Sequence, residues 1–424
     1  MLRSLRHRNF RLFFTGQLIS LIGTWMQNIA QSWLVYQLTG SAALLGLIGF
    51  ANQIPVFLVA PIGGAVADRY KRQYVVICTQ TASMVLAFIL GWLTLAGKVK
   101  VWEIGVLAAS LGLVNAFDIP ARQSFIVEMV GKDDLPNAIA LNSSMFNGAR
   151  IIGPAIAGVL VASIGEGWCF MANAISYIAV IVGLFLMRVP NNAQKPVGSA
   201  IERIREGFHY VGRTLPIRNI LLLLGVVSLL AMPYAVLMPI FADRILHGGA
   251  KGLGILMGAA GVGACAGALT LAARSGIRGL SRWVQFSTAG FGVFLALFSI
   301  SRFFWLSVLL LVPIGYAMMV QMASSNTLIQ TFSPDYIRGR VMSVYSMMFM
   351  GMAPLGSLLA GSLAHRLGVQ QVVFGSGVAC VVAAMIFGRG IPRLRVEARK
   401  LIVAQEMVGG VPAQEVTGTG IETE

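Results

Sequence analysis

Charged residues are scarce in this chain, and so are the residues that build disulfides and metal sites. Asp, Glu, Lys and Arg make up 11 % of its 424 residues, against about 25 % in soluble domains. This composition excludes an ordinary soluble enzyme. No pair of cysteines has metal-ligand or redox spacing, so we expect neither a disulfide nor a metal site. The four stand alone in apolar stretches, at Cys78, Cys169, Cys265 and Cys380.

Catalytic and nucleotide-binding patterns are also absent. The sequence has no Gly-x-x-x-x-Gly-Lys-Ser/Thr loop, so the chain is not expected to hydrolyse ATP. Its apolar segments contain no cluster of His, Asp or Cys, which an intramembrane enzyme would need. No carboxylate falls near the middle of a segment, since Glu103, Asp118 and Asp243 all lie near predicted helix ends. We expect a protein that is not an enzyme and holds no cofactor.

Apolar residues dominate the chain, at 57 % of the sequence and a mean hydropathy of +0.78. Twelve apolar runs are long enough for a membrane-crossing helix, which needs about 20 residues. Membrane-spanning β-strands would be half as long and strictly alternating. The sequence therefore predicts an all-α membrane protein with twelve transmembrane helices, at about 12–38, 42–67, 74–97, 101–121, 136–164, 167–188, 217–241, 252–273, 283–301, 303–331, 340–365 and 369–388.

The basic residues give this topology an orientation. The chain has 32 Lys and Arg residues and a formal net charge of +16. Of these 32, 25 lie at the termini or in the even-numbered loops, and six lie in the odd-numbered loops. Basic residues favour the cytoplasmic side, so we expect both termini in the cytoplasm. The excess charge is thus explained by topology, and we expect a lipid bilayer rather than a nucleic acid as its surroundings.

A polar stretch at 189–216 divides the apolar runs six and six. It includes a charged amphipathic piece and is expected to be a cytoplasmic linker with a short surface helix. The sequence thus predicts an N-terminal six-helix bundle over 1–188 and a C-terminal bundle over 217–390. Residues 391–424 become polar and rich in Gly, Thr and Glu, and are expected to be a disordered cytoplasmic tail.

The two halves are weakly similar to each other in register. Matching positions recur at an offset of about 200 residues, in the pairs Gly64 and Gly267, Pro154 and Pro354, and Gly165 and Gly368. Two parallel six-helix repeats with substrate bound between them form one known transporter architecture. The repeat favours two pseudo-symmetric bundles.

Several motifs carry a resemblance to a known family. Gly64-x-x-x-Asp68-Arg69-x-x-Arg72 lies between the second and third runs and resembles the signature of the major facilitator superfamily. Gly153-Pro154-x-x-x-Gly158 in the fifth run is similar to the Gly-Pro motif of its exporters, with Ala157 where a paired glycine often stands. Gly23-Thr-Trp-Met-Gln27 and its neighbours further resemble the bacterial branch that contains enterobactin and macrolide exporters.

The resemblance implies a conformational latch at the charged turn. Asp68, Arg69 and Arg72 would form it with an acidic residue at the end of the fourth helix, and Asp118 matches that position. A bond present in one conformation and absent in the other biases the equilibrium between them. The alternative is that these charges only set topology.

Polar residues inside the helices suggest a substrate cavity. The first helix has a stripe of polar residues that includes Gln27, Asn28 and Gln31, and such residues are expected to face the bundle interior. They could contact substrate, or simply bond between helices. The same interpretation applies on the tenth span to Gln321, Ser325 and Asn326.

Arg150 is the only basic residue well inside a run. A charge there costs about 2.5–3.5 kcal/mol on insertion scales. With Asn147 it forms a helix face that could line the cavity, where Arg150 would attract an anionic group of the substrate or pair transiently with a carboxylate. The alternative is a bond to backbone carbonyls near Pro154, whose ring frees one carbonyl.

These features favour a secondary transporter of the bacterial cytoplasmic membrane. We expect a monomer that exports small amphipathic, drug- or siderophore-like molecules by alternating access. Proton antiport is implied by the family resemblance. The alternatives are a lipid or lysophospholipid flippase or an importer of the same fold, and a non-transporting membrane scaffold or sensor.

Overall fold

The computed structural model describes residues 3–131, 133–187, 200–274, 276 and 279–409. Its described residues form thirteen main helices in chain order. They are α1 (Arg8–Thr39), α2 (Ala42–Arg69), α3 (Arg72–Leu95), α4 (Val101–Val130), α5 (Leu135–Ile164), α6 (Glu166–Phe185), α7 (Ala200–Arg213), α8 (Leu215–Ile245), α9 (Gly249–Ala272), α10 (Leu280–Ile300), α11 (Phe304–Phe332), α12 (Tyr336–Leu367) and α13 (Val369–Gly409).

Eleven of these helices are long and apolar enough to cross a membrane. α1 has 32 residues, also enough to cross it, but its amide and hydroxyl side chains make it less apolar. It packs against α5 and α6 inside the bundle, where these side chains avoid lipid. α1 is thus the twelfth long helix, and the short α7 falls in the segment predicted as the linker.

Glycine and serine end and begin the helices at the tight turns. α1 ends at Gly40, whose φ of 58° is left-handed and whose N–H donates to the Tyr36 carbonyl. Ser41 then caps α2 by accepting from the N–H of Leu44. Proline does not end the helix everywhere, because α4 continues through Pro120 to Val130. The predicted end of this span, near residue 121, was nine residues short.

The helix contacts repeat between the two halves. In the first half, α1 packs on α5 and α6, α2 packs on α4, and α3 packs on α4 and α6. In the second half, α9 packs on α11, and α10 packs on α11 and α13. The α2–α4 pair corresponds to α9–α11, and α3–α6 to α10–α13. This pattern is the one expected of two pseudo-symmetric six-helix bundles, while the exact domain bounds stay a prediction.

The two bundles meet along α2–α12 and α5–α9, where glycines allow close approach. A Cβ at Gly361 would lie 2.8 Å from the Cα of Gly46, and a Cβ at Gly254 would lie 2.7 Å from the Cα of Gly158. Both pairs lie near the ends of their helices at one membrane face. We call this the opposite face, and the face where α1 begins and α13 leaves the membrane the terminal face.

Toward the terminal face, the same sides of α2 and α5 no longer contact the described residues of the second bundle. Gly64 lies 18 residues after Gly46 on α2, which is about five turns and therefore the same side of the helix. A Cβ at Gly64 would have nothing within 4 Å. On α5, Ala140 lies about five turns before Gly158 and is exposed. A cleft between the bundles therefore opens at the terminal face.

The buried clusters of apolar side chains show the same arrangement. One cluster draws on both bundles at the opposite face, with Trp33 and Tyr36 from α1 beside Phe241 from α8 and Phe298 from α10. Toward the terminal face the core is divided into separate clusters. One is centred on α1, α3 and α4, and another on α8, α11, α12 and α13. Among the described residues, the bundles thus share an apolar core only at the opposite face.

The chain after residue 391 corrects one prediction. α13 continues to Gly409, so residues 391–409 are helical rather than disordered, and residues 410–424 lie outside the described part. Leu394 and Ala398 are buried in the cluster that includes Val211 of α7 and Ile217 of α8. Helix-favouring residues continue past Pro392, and this packing gives the extension a partner.

Candidate functional site

The charged turn between α2 and α3 forms an ion-pair cluster within the first bundle. Arg72 begins α3, and its Nη1 lies 2.6 Å from Glu128 Oε1 while its Nη2 lies 3.6 Å from Asp68 Oδ1. The side chains of Arg72 and Glu128 are each 13 % exposed. Arg69 instead lies over the ring of Tyr70. We call Asp68, Arg72 and Glu128 the terminal-face cluster.

Asp118 does not belong to this cluster, and its predicted pairing was wrong. Its Oδ1 accepts hydrogen bonds from Thr79 at 2.8 Å and Gln80 at 2.9 Å, and its Oδ2 lies 3.3 Å from Arg122 Nε. Because α4 continues to Val130, Glu128 rather than Asp118 lies in its last turn. Asp118 is ten residues earlier, about 15 Å deeper along the helix, and is 2 % exposed. Asp118 is thus the eighteenth of the 30 residues of α4, so the described part has a carboxylate near the middle of a span, where the sequence predicted none.

Glu128→Gln is expected to weaken the terminal-face cluster. Glutamine is a neutral partner for Arg72, so the hydrogen bond between them becomes weaker. Asp68 is then the only charged partner of Arg72 in the cluster. Hydrogen bonds to charged groups contribute about 1.5–3 kcal/mol, so the thermal denaturation midpoint of the purified protein should fall measurably. Asp133→Asn, an exposed carboxylate just after α4, is the matched control. An unchanged midpoint in Glu128→Gln would contradict the assignment.

The N-terminus is tied to the start of α5 in the same bundle. Asp134 lies 2.8 Å from both Arg3 Nε and His7 Nε2, and the Ser4 N–H donates to Asn137. The hydrogen bond with His7, aided by the charge of Arg3, holds the pKa of the Asp134 carboxyl below its ordinary value. A lowered carboxyl pKa means that this contact stabilises the fold above the ordinary pKa and is lost as the pH falls through the lowered one.

Gln27 and Gln31 lie on a different side of α1 from Trp25, which faces α5. The Oε1 of Gln27 accepts a 2.7 Å hydrogen bond from Asn173 of α6. Gln27 follows Trp25 by two residues, or about 200° around the helix, so the two face in different directions. Gln31 is also buried, whereas Asn28 is exposed. The structure therefore gives Gln27 a bond between helices, the alternative that the sequence left open.

Arg150 lies between the two bundles near mid-membrane. It is the sixteenth of the 30 residues of α5. Its guanidinium lies 5.9 Å from the ring of Trp25 on α1, and its Nη2 lies 3.9 Å from the sulfur of Met318 on α11. The phenol of Tyr234 on α8 is within electrostatic range. Residues of both bundles therefore surround this one charge.

The Gly-Pro motif packs α5 against its neighbours. A Cβ at Gly153 would lie 2.4 Å from the Cβ of Trp25, so only glycine allows α1 this close. Gly158 contacts α9 through Gly254, as described above. Pro154 lies inside the helix and provides no N–H to the carbonyl of Arg150 one turn earlier. The motif thus fixes the position of the backbone that carries Arg150.

The predicted residues of α11 follow Met318 toward the terminal face. Gln321 and Ser325 are 1 % and 0 % exposed, and neither side chain has a hydrogen-bond partner among the described residues. Asn326 is half-buried and accepts from Gln330 at 2.5 Å. On α5, Asn147 is half-buried and donates to the Ser143 carbonyl. Ser325 is about two turns from Met318, so the structure gives it no contact with Arg150.

A contact between bundles at the opposite face was not predicted. The hydroxyl of Tyr36 on α1 donates a 2.7 Å hydrogen bond to Asp243 Oδ2 on α8. Arg244 donates to the carbonyl of Gly40 at 3.2 Å, and its guanidinium lies 5.7 Å from the Tyr36 ring. We call these four residues the opposite-face clasp.

Comparison with known proteins identifies the family. The family model described as transmembrane secretion effector matches residues 1–416. The chain belongs to this family of major facilitator superfamily transporters. Its similarity to a solved structure of the nucleoside transporter NupG, at a TM-score of 0.69 and 16 % identity over 92 % of this chain and 99 % of that one, shows the same fold. The predicted superfamily and its twelve-helix fold are confirmed.

Curated relatives of this transmembrane secretion effector are transporters. The chain is 27 % identical to the staphyloferrin A transporter of Staphylococcus aureus, over 89 % of this chain and 95 % of the relative. It is 27 % identical to the multidrug efflux pump Tap of Mycolicibacterium fortuitum, over 88 % and 93 %. It is 26 % identical to the enterobactin exporter EntS of Shigella boydii, over 93 % of both chains. The protein is a multi-pass membrane transporter and not an enzyme, and the predicted branch is confirmed.

Proposed function

We propose that this transporter exports small amphipathic molecules, drug- or siderophore-like, from the cytoplasm. The terminal face would be cytoplasmic, as the distribution of basic residues favours. The relatives support this direction, since two of the three are an exporter and an efflux pump. Substrate would enter the cleft at the terminal face and leave after the bundles rock about their interface.

The observation that supports this proposal is the unequal contact between the bundles. Glycine pairs and a shared apolar core join them at the opposite face, and separate cores divide them at the terminal face. Arg150 lies where the joined and divided parts meet. Alternating access requires a site at this depth, reached from one side at a time.

Proton antiport would supply the energy. A carboxylate at membrane depth is the usual proton carrier in transporters, and Asp118 is the buried candidate within α4. Its Oδ1 accepts from Thr79 and Gln80, and its Oδ2 faces Arg122. We propose that Asp118 binds and releases the coupled proton. The substrate cavity would include Asn28, Asn147 and Arg150.

Accumulation of fluorescent substrates in cells that lack other exporters tests the function. Cells with the transporter should accumulate less dye than cells without it, and a proton uncoupler should abolish the difference. Asp68→Asn is expected to reach the membrane normally and to lose most of the export, because Asp68 belongs to the terminal-face cluster. Equal accumulation with and without the transporter over a broad panel would refute export. Full export by Asp68→Asn would refute the role of the cluster.

A further inference from the structure

We propose that the central site selects organic anions, with Arg150 pairing with the negative group and the neighbouring aromatic rings accepting an apolar body. This inference rests on the proposed function, because it names the substrate class of the same site. It is more specific, since efflux pumps of this architecture could equally carry neutral or cationic molecules.

The first step is the position of the charge. Arginine stays protonated in proteins, so Arg150 brings a full positive charge to the middle of α5. From the second bundle, Met318 near the middle of α11 contacts the guanidinium, and Tyr234 of α8 is within electrostatic range. Gly261 of α9 packs against the backbone of Arg150. The guanidinium therefore lies in the bundle interface, far from both water-exposed ends.

The second step is that no described carboxylate pairs with this charge. Asp68 and Glu128 lie beside Arg72, and Asp118 beside Arg122. Asp243 accepts from Tyr36 at the opposite face. Among the described side chains, the only hydrogen-bond partner of the Arg150 guanidinium is the weakly accepting sulfur of Met318. Arg150 is half-buried, and a charge withdrawn from water is normally paired, so the counter-charge is expected to arrive with the substrate.

The third step removes the structural alternative. An arginine near a proline could be held by the backbone carbonyl that the proline frees. Here the freed carbonyl belongs to Arg150 itself, and its side chain points to the rings and the sulfur. No bond from its side chain to a carbonyl is present among the described residues. The charge is therefore placed in the interface without the bonds that a purely structural arginine would make.

The surroundings specify the rest of the substrate. Trp25 contacts Phe146 edge to face, with ring centroids 5.6 Å apart, and Phe146 is 46 % exposed. Trp25 lies beside the guanidinium on the side of the first bundle, and Asn147 follows Phe146 on α5. A flat apolar body can stack there while its carboxylate, sulfonate or phenolate accepts from the guanidinium. This combination fits an aromatic anion.

Two probes with one ring system separate charge from shape. Anilinonaphthalene sulfonate is an anion, and phenylnaphthylamine is nearly the same molecule without the sulfonate. Binding to the full-length protein in nanodiscs, measured by equilibrium dialysis against empty nanodiscs, should be tighter for the anion. Arg150→Gln should weaken binding of the anion by about 10-fold to 100-fold, as expected when a charge-assisted hydrogen bond is lost. Binding of the neutral probe should not change.

Two further arms keep the test decisive if Arg150→Gln folds poorly. Arg150→Lys keeps the charge but not the paired donors, so it should retain an intermediate preference for the anion. With the wild-type protein, benzenesulfonate should displace the bound anion and benzyl alcohol should not. Equal binding of both probes by the wild type, or equal loss of both in Arg150→Gln, would overturn the inference. If neutral or cationic dyes are exported independently of Arg150, the inference of anion selectivity is wrong and the export function stands. If the protein binds anions selectively but exports no dye, only the export function is refuted.

Discussion

Replacing Asp118 by asparagine is expected to abolish uphill, proton-driven export while leaving the protein in the membrane. Asparagine keeps an oxygen that can accept from Thr79 and Gln80, whose donors lie 2.8 Å and 2.9 Å from Asp118 Oδ1. It cannot bind and release a proton. Accumulation assays should therefore show no uncoupler-sensitive export, whereas exchange of labelled for unlabelled substrate across the membrane should continue.

The neighbouring Arg122 requires a control, because Asp118→Asn leaves its guanidinium without the carboxylate 3.3 Å away. Breaking a buried pair by removing one member is strongly destabilising. The double variant Asp118→Asn with Arg122→Gln removes both charges together. If the single variant fails only through this imbalance, the double variant should regain uphill export. If Asp118 carries the proton, the double variant should stay inactive in uphill export, and recovery would refute the assignment.

The roles of Asp118 and Glu128 show how helix length limits prediction from sequence. The apolar run predicted a fourth span over about 101–121, which placed Asp118 near the membrane face. Proline is tolerated inside membrane helices when neighbouring groups satisfy the freed carbonyl, and α4 continues for two more turns. With the longer helix, Asp118 lies inside the membrane and Glu128 lies in the terminal-face cluster. The charged turn itself was recognisable from its residues alone.

Within the candidate cavity, the sequence predicted how deep a residue lies in the membrane better than it predicted which helix its side chain faces. Arg150 was recognisable because a single charge inside an apolar run is rare at any depth. The polar residues of α1 recur at helical spacing, which predicts that they lie on one side of the helix. This spacing does not predict which helix packs against that side. Gln27 proved to bond to α6. Its partner Asn173 lies 146 residues away, and no local pattern connects them.

The opposite-face clasp could not be predicted for the same reason. Tyr36 and Asp243 are 207 residues apart, and each lies near the end of its helix. Asp243 stood out as a charge at a helix end, but its partner depends on how the two bundles meet. The fold class follows from composition and period, whereas contacts between bundles depend on the conformation of the whole molecule.

Removing the Tyr36 hydroxyl is expected to favour the conformation that is open at the opposite face. The bond to Asp243 joins the two bundles and must break when they separate there. A hydrogen bond to a charged group contributes about 1.5–3 kcal/mol, so its loss should raise the ratio of open to closed molecules by about 10-fold or more. A shift of this size in the equilibrium between the two conformations should also change the rate of export, because the transport cycle passes through both of them.

A buried cysteine can report this opening. Ser357 of α12 is 2 % exposed, and its carbonyl would lie 2.4 Å from a Cβ at Gly46 of α2, so it lies inside the closed interface. In a background without the four native cysteines, Ser357→Cys should react slowly with a membrane-impermeant maleimide added at the opposite face. Tyr36→Phe should accelerate this reaction by about 10-fold if labelling follows the open population.

Phenylalanine isolates the hydrogen bond from the other contacts of Tyr36. It keeps the ring beneath the Arg244 guanidinium, 5.7 Å from its centroid, and keeps the packing in the shared core. Tyr74→Phe, on an exposed ring at the start of α3, removes a hydroxyl without touching the interface and should leave the labelling rate unchanged. If Tyr36→Phe labels no faster than this control, the hydroxyl does not hold the bundles together. Closure at the opposite face then rests on the glycine contacts, the apolar core and the bond from Arg244 to the Gly40 carbonyl.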